Sequence, residues 1–358
     1  MLRTLGIDPG TITIDVCGLD GPQVYLDHSM PTAQAVADVP AFIALLRDAG
    51  ASLIAGPSGY GLPLTPVERA TETDLRLAYL TAGDDHGGIG GLRTLARAMR
   101  EARLPVLFTP GVVHLTSVPA SRKVNRVDMG TADKVCAAAL GLYDQARRRP
   151  CAYAEVSFVL LELGGAFSAA IAVHEGRIVD GLGGTAGPMG ARAAGALDGE
   201  VAFLAGTVDK ATLFGGGAAS IIGSADQLAD HLAAPRTPRD QIARDALLES
   251  AVKAVAALCS VVPRPYEILL SGRLTHADTI GRELRRRLSP FAPVRRLEGF
   301  AHTAKEAAQG AALLADGLAG GPNEPLVNAL GLREASGTVL DHLFVISPDA
   351  ARRRLGIA

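Results

Sequence analysis

The chain has 358 residues, 48% of them hydrophobic, and a formal net charge of −2. That length suits two domains, and the apolar content excludes wholesale disorder. The near-neutral balance, whose short basic runs (Arg147 to Arg149 and Arg285 to Arg287) read as solvated helix faces, disfavours nucleic acid as a partner. Cys17, Cys136, Cys151 and Cys259 are scattered without metal-site spacing, which fits a reduced, cytoplasmic protein. The N-terminus lacks a signal-peptide core, and no apolar stretch reaches membrane-spanning length.

In chain order, Leu5 to Ile7 reads as a strand ending in Asp8. Pro9 and Gly10 turn the chain, and residues 12 to 19 run back as a second strand. Gly10 lets the backbone approach a ligand, and Thr11 sits at the turn. Asp8 can hold a divalent cation through water, or serve only as a turn former. Residues 23 to 28 form a third strand. Pro40 opens a helix over Ala41 to Ala49, stopped by Gly50. Ser52 to Ala55 is a strand running into the loop Gly56 to Gly61. His86 lies in the glycine-rich stretch 82–91 and reads as a loop histidine. A helix over Leu92 to Ala102, a strand over Pro105 to Thr109 and a helix from Thr131 to Arg148 complete the first half. Arg122, Lys123 and Arg126 precede that last helix. They read as surface charges or as a site for an anionic substrate.

After Pro150 the pattern recurs. Val156 to Leu161 ends in Glu162, Gly164 and Gly165 turn the chain, and Phe167 to Val173 returns. Glu175-Gly176 then turns into Ile178 to Gly181. This internal echo predicts two related α/β domains whose glycine turns face each other across a cleft. Beyond it lie a glycine-rich loop from Gly181 to Gly190, a short helix near Gly199, and the run Gly215 to Gly217. A long helix over 239–261 leads to a strand over Tyr266 to Leu270, ending in Ser271-Gly272-Arg273. A helix over 276–288, a strand over Val294 to Leu297 and a helix over Ala304 to Leu318 follow. In the tail, Val339 to Ile346 is expected as an extra strand. The domains expected are 1–150 and 151–321, with 322–358 as an extension packed on them.

Two glycine turns with an acid before each suit the phosphate tail of a nucleotide with magnesium between the acids, here Asp8 and Glu162. Ser271 and Gly272 let a base or ribose approach the backbone. Asp133 reads either as a site acid or as the first-turn acid that the helix dipole favours, and Asp128 as a cap.

This order of motifs resembles the superfamily of acetate kinases, sugar kinases, Hsp70 and actin. Residues 6 to 20 look like its first phosphate motif, and Glu162 to Ser168 like its second. Leu269 to Arg273 look like its adenosine motif. Asp128 to Leu142 and Ala307 to Gly317 look like its two connecting segments. Glu162 stands where aspartate is commoner, and Ala166 and Phe167 replace glycine and threonine, leaving Ser168 as the hydroxyl. Glu162 to Val173, Gly183 to Pro188 and Gly195 to Glu200 look most like a group labelled predicted butyrate kinases.

The resemblance implies an α/β fold of two RNase-H-like (actin-like ATPase) domains with a nucleotide cleft between them. It implies ATP and Mg2+ as cofactors and a small carboxylate as acceptor, with no nucleic-acid or membrane partner, and it allows a homodimer. Site residues then follow: Asp8 and Asp133 for catalysis, with Arg126 to hold the carboxylate. Gly10, Thr11, Gly164, Gly165, Ser168, Gly215, Gly216, Ser271 and Gly272 bind the nucleotide, and Asp8 and Glu162 the metal. The competing readings are a kinase of an alcohol or sugar-like acceptor with Asp133 or Asp128 as base, a non-catalytic nucleotide sensor, and, last, an RNase-H-like nuclease.

Overall fold

Alternating β-branched residues on either side of Pro9-Gly10 make the first hairpin: β1 (Arg3–Pro9) and β2 (Thr13–Asp20) pair antiparallel, with Asp8 opposite Asp15. A computed structural model describes residues 2–56, 59–81 and 89–357 of the protein. His86, Pro57 and Ser58 lie outside these. The chain continues through β3 (Gln23–Pro31), α1 (Val39–Asp48), β4 (Leu53–Gly56), β5 (Thr65–Pro66), α2 (Glu72–Tyr79), α3 (Ile89–Glu101) and β6 (Val106–Phe108). Asp38 caps α1 by accepting from the Ala41 N–H at 3.0 Å, as its place ahead of Val39-Pro40 suggests. The sheet order is β3-β2-β1-β4-β6-β5. β1, β4 and β6 run parallel, and the two-residue β5 closes the edge antiparallel.

After α4 (Ala132–Arg148), β7 (Phe158–Leu163), β8 (Ser168–His174) and β9 (Arg177–Leu182) repeat the meander. Then come α5 (Pro238–Cys259), β10 (Glu267–Ser271), α6 (Asp278–Leu288), β11 (Val294–Arg296) and α7 (Glu306–Leu318). The second sheet runs β11-β10-β7-β8-β9, with β10 parallel to both neighbours. Apart from the small β5 edge, the two sheets therefore share one order and one pattern of directions. The internal echo in the sequence is a duplicated fold unit, two α/β domains of the kind the resemblance implied.

Period-two alternation sorts each strand between two cores. Val159 and Leu161 of β7 face an outer core with α5 and α6, while Phe158 and Leu160 face a central core. Leu5 and Ile7 of β1 face the other outer core with α1 and α3. The central core lies between the sheets and holds α4 and α7. These helices exchange partners. α4 follows the first sheet yet packs on the second, where Gly141 meets Phe158 and Leu269. α7 follows the second sheet yet packs on β1, β2 and β4. The approach is close: a methyl group on Gly6 would stand 2.1 Å from the Ala312 nitrogen. One on Gly310 would stand 1.8 Å from the Cys136 carbonyl oxygen, where α4 and α7 cross.

Val339 to Ile346 is not a strand but a series of turns and bends. The Asp341 carboxylate accepts from the Thr338 N–H (2.7 Å) and hydroxyl (2.5 Å), which folds the chain back before it can extend. Among the described residues no helix is long and apolar enough to cross a membrane.

Gly310→Ala is expected to lower the stability by about 3 kcal/mol or more, because the added methyl overlaps backbone that cannot give way. Gly21→Ala, at φ +60° with nothing within 4 Å, should cost only about 1 kcal/mol. Urea unfolding midpoints of the two variants check this.

Candidate functional site

In sheets with parallel strands, ligands bind beyond the strands' carboxyl ends. Here the ends of β1, β7 and β10 and the N-termini of α4 and α7 open on one cleft of about 210 Å³. Two helix N-termini at one place favour an anion. The β1–β2 and β7–β8 turns meet across it, since a methyl on Gly165 would touch the Ile12 side chain at 2.6 Å. The first turn is braced from β3's end: the Thr32 hydroxyl donates to the Gly10 carbonyl at 2.7 Å.

Asp8, Gly10, Thr11, Asp133, Glu162, Gly164, Gly165, Ser271 and Gly272 all line this cleft. Residues up to 264 positions apart in sequence (Asp8 and Gly272) are thus brought together. Gly272 adopts φ +87°, and any side chain there would strike the Leu163 carbonyl oxygen at 2.5 Å. Glycine is required by both counts.

Other candidates lie elsewhere. Ser168 is buried in β8, outside the lining, with its hydroxyl unpartnered among the described residues. Gly215 and Gly216 also lie outside the lining, though the adjacent Phe214 belongs to it. Gly215 accepts from the Ala194 N–H, and Gly216 bridges to Ala193. Arg126 is exposed and donates to the Ala186 carbonyl at 3.2 Å, away from the cleft wall. Its neighbours are likewise occupied: Arg122 donates to the Val179 carbonyl, and Lys123 to that of Leu115. Asp128 is a brace. It accepts from the Thr185 N–H (2.9 Å) and hydroxyl (3.0 Å), and Gly183 leaves room for it.

Sequence reasoning passed over two lysines and one acid. Lys134 donates to Asp133 at 2.7 Å and to Glu162 at 2.5 Å. Burial alone would raise the Asp133 carboxyl, but Lys134 overrides it and holds the group below its ordinary range. For Glu162 burial prevails over Lys134, and its carboxyl lies above the usual range. Burial, followed by the neighbouring Asp133, pushes the Asp8 carboxyl up to about 7. Lys305, just before α7, donates to Thr13 Oγ1 and, at 2.6 Å, to Asp15. The signal for Asp15 was an acid inside an apolar strand, directly opposite Asp8. The signal for the lysines was a cation at the start of each helix that opens on the cleft.

The donor set suits magnesium. The acids lining the cleft, Asp8, Asp128, Asp133, Glu162 and Glu306, outnumber its cations, Lys134, Arg273 and Lys305. No group of three or more metal-binding side chains gathers among the described residues. Such a site offers hard oxygens without a closed cage, as a hydrated cation shared with phosphates requires.

The chain shares its fold with acetate and propionate kinases. A propionate kinase from Francisella tularensis subsp. tularensis SCHU S4 superposes with a TM-score of 0.62 at 11% identity, covering 87% of this chain and 99% of its own. The acetate kinase of Porphyromonas gingivalis gives 0.60 at 11% identity, covering 87% and 98%. That of Entamoeba histolytica gives 0.56 at 11%, covering 80% and 86%. No curated protein matches the sequence. The chain belongs to the family of proteins of unknown function DUF1464, whose family model matches residues 6–345.

Lys134→Met leaves Asp133 and Glu162 facing each other in a part-buried site. It is expected to cost about 2–3 kcal/mol of stability, at or below the low end of the penalty for stripping one partner from a fully buried ion pair. Chemical denaturation of the variant and the parent measures the difference.

Proposed function

We propose that the protein is an ATP-dependent phosphotransferase whose acceptor is a small, butyrate-like carboxylate, giving an acyl phosphate and ADP. The observation that carries the kinase reading is the convergence of both acid–glycine turns, Ser271-Gly272 and two helix N-termini on one cleft. The glycine turns hold the phosphates, and Ser271-Gly272 admits the nucleoside. Magnesium, when bound near Asp8 and Glu162, neutralises charge on the transferring phosphoryl group.

In the reaction, a carboxylate oxygen bonds to the γ-phosphorus as the bond from that phosphorus to the β,γ-bridging oxygen breaks. No proton has to be removed, because the acid is ionised at neutral pH. An alcohol would need a base. Asp133 is poorly suited: one oxygen accepts the Thr131 hydroxyl, the other the Lys134 ammonium. The cleft's apolar wall, with Ile12, Tyr60, Leu92, Phe167 and Phe214, suits a short hydrocarbon chain. Phe167 and Phe214 pack edge to face at 5.1 Å. At that end the Lys210 ammonium stands 5.3 Å from the Tyr60 ring centre and 5.6 Å from that of Phe214. The acetate and propionate kinases of the same fold act in keeping with this reading by their names.

With magnesium and ATP, short aliphatic acids are expected to yield hydroxamates when hydroxylamine is present. ADP release with alcohols, and no hydroxamate from any acid, refutes the carboxylate reading. ADP release with neither class leaves a nucleotide sensor. Asp133→Asn should lower kcat by less than about 10-fold, whereas loss of a positioned base costs about 10²–10⁴-fold.

Arg126→Ala should alter the KM for the acid and the KM for ATP by no more than about twofold, as for a surface substitution. Steady-state kinetics with both substrates varied measures both.

A further inference from the structure

The cleft holds two lysines in different circumstances. Lys134 is spent, bound between Asp133 and Glu162. To turn toward a ligand it would have to abandon two part-buried carboxylates. Lys305 has a single carboxylate partner, Asp15, and its side chain is 31% exposed against 1% for Asp15. An ammonium group carries three N–H donors. Lys305 uses one on Thr13 Oγ1 and one on Asp15 Oδ2, and the third has no partner among the described residues. Its nitrogen lies against the first glycine turn: a methyl on Gly10 would stand 3.1 Å away.

Asp15 does not line the cleft, so it does not meet a ligand directly. Thr13 donates to the same Asp15 oxygen at 2.9 Å, which closes a three-membered ring of hydrogen bonds around the lysine. The other Asp15 oxygen is buried with no hydrogen-bond partner among the described residues. An acid this deep, placed directly opposite Asp8, is electrostatically costly unless a cation is fixed beside it. The ring therefore fixes one long, flexible side chain at one place, which lowers the entropy lost when it meets a ligand.

We infer that Lys305 is the cation that receives the phosphate tail of the nucleotide, and that Asp15, with Thr13, is its positioning residue. The inference rests on the nucleotide-binding reading above and assigns its phosphate contact to a side chain from outside both glycine turns. Lys305 is carried by the start of α7, so the second half of the chain supplies the cation to the first half's turn.

Calorimetry with magnesium-ATP and with adenosine tests this on the full chain. Lys305→Met should weaken magnesium-ATP binding by about 10- to 100-fold, the worth of a charged hydrogen bond. Adenosine, which has no phosphate, should bind within about twofold of the parent, and Lys305→Arg should restore part of the loss, since the charge is kept. Asp15→Asn should also weaken magnesium-ATP binding but not adenosine binding, and combined with Lys305→Met it should add nothing further. Unchanged magnesium-ATP affinity in Lys305→Met overturns the assignment, as does an equal loss of adenosine binding. Additive losses in the double variant overturn the role of Asp15. A parent protein that binds neither ligand refutes the nucleotide reading itself, an outcome distinct from these.

Discussion

The crossing of α4 and α7 is the constraint on which the rest of the molecule depends. Backbone meets backbone at Gly310 and Cys136, and α7 lies on β1 where Gly6 leaves no side chain in the way. Dispersion and the removal of apolar surface from water reward this proximity only if the fit is close. The same crossing fixes where the helices begin. Both N-termini arrive at the cleft, and with them Asp133, Lys134 and Lys305. A core contact thus sets the electrostatics of the site.

Those electrostatics are a balance of acids and cations in a part-buried cleft. Each ammonium group is shared in a different way, one wholly committed to carboxylates and one only partly so. Low local dielectric strengthens each of these interactions and makes an unpaired charge expensive. A polyanionic ligand would enter such a site only with compensating cations.

Much of this was legible in the sequence because it is local. A strand, an acid and a glycine turn are contiguous, and their recurrence after Pro150 revealed the duplication. Asp8, Glu162, Gly165 and Gly272 were singled out from such neighbourhoods, and all four line one cleft. Lys305 was hidden for another reason: its partners lie 290 and 292 positions away, and no local pattern encodes them. Arg126, a basic residue before a helix, looks available in the sequence, whereas tertiary folding gives it a backbone carbonyl as partner. The strand expected at Val339 to Ile346 failed because β-propensity counts only where a neighbouring strand is present to pair. Asp341 supplied a competing local hydrogen bond instead.

The exchange of helices also bears on how the chain is made. The inner face of the first sheet is covered by α7, which follows β1 by nearly the whole length of the protein. Ribosomes add about 5–20 residues per second. From β1 to α7, synthesis therefore takes roughly 15–60 s, during which this face has no native cover. The amino-terminal half cannot mature alone on the ribosome, and a nascent chain truncated before Glu306 would be a client for chaperones rather than a folded domain. Gly6, in offering no apolar side chain on that face, also makes the long wait less prone to misassociation.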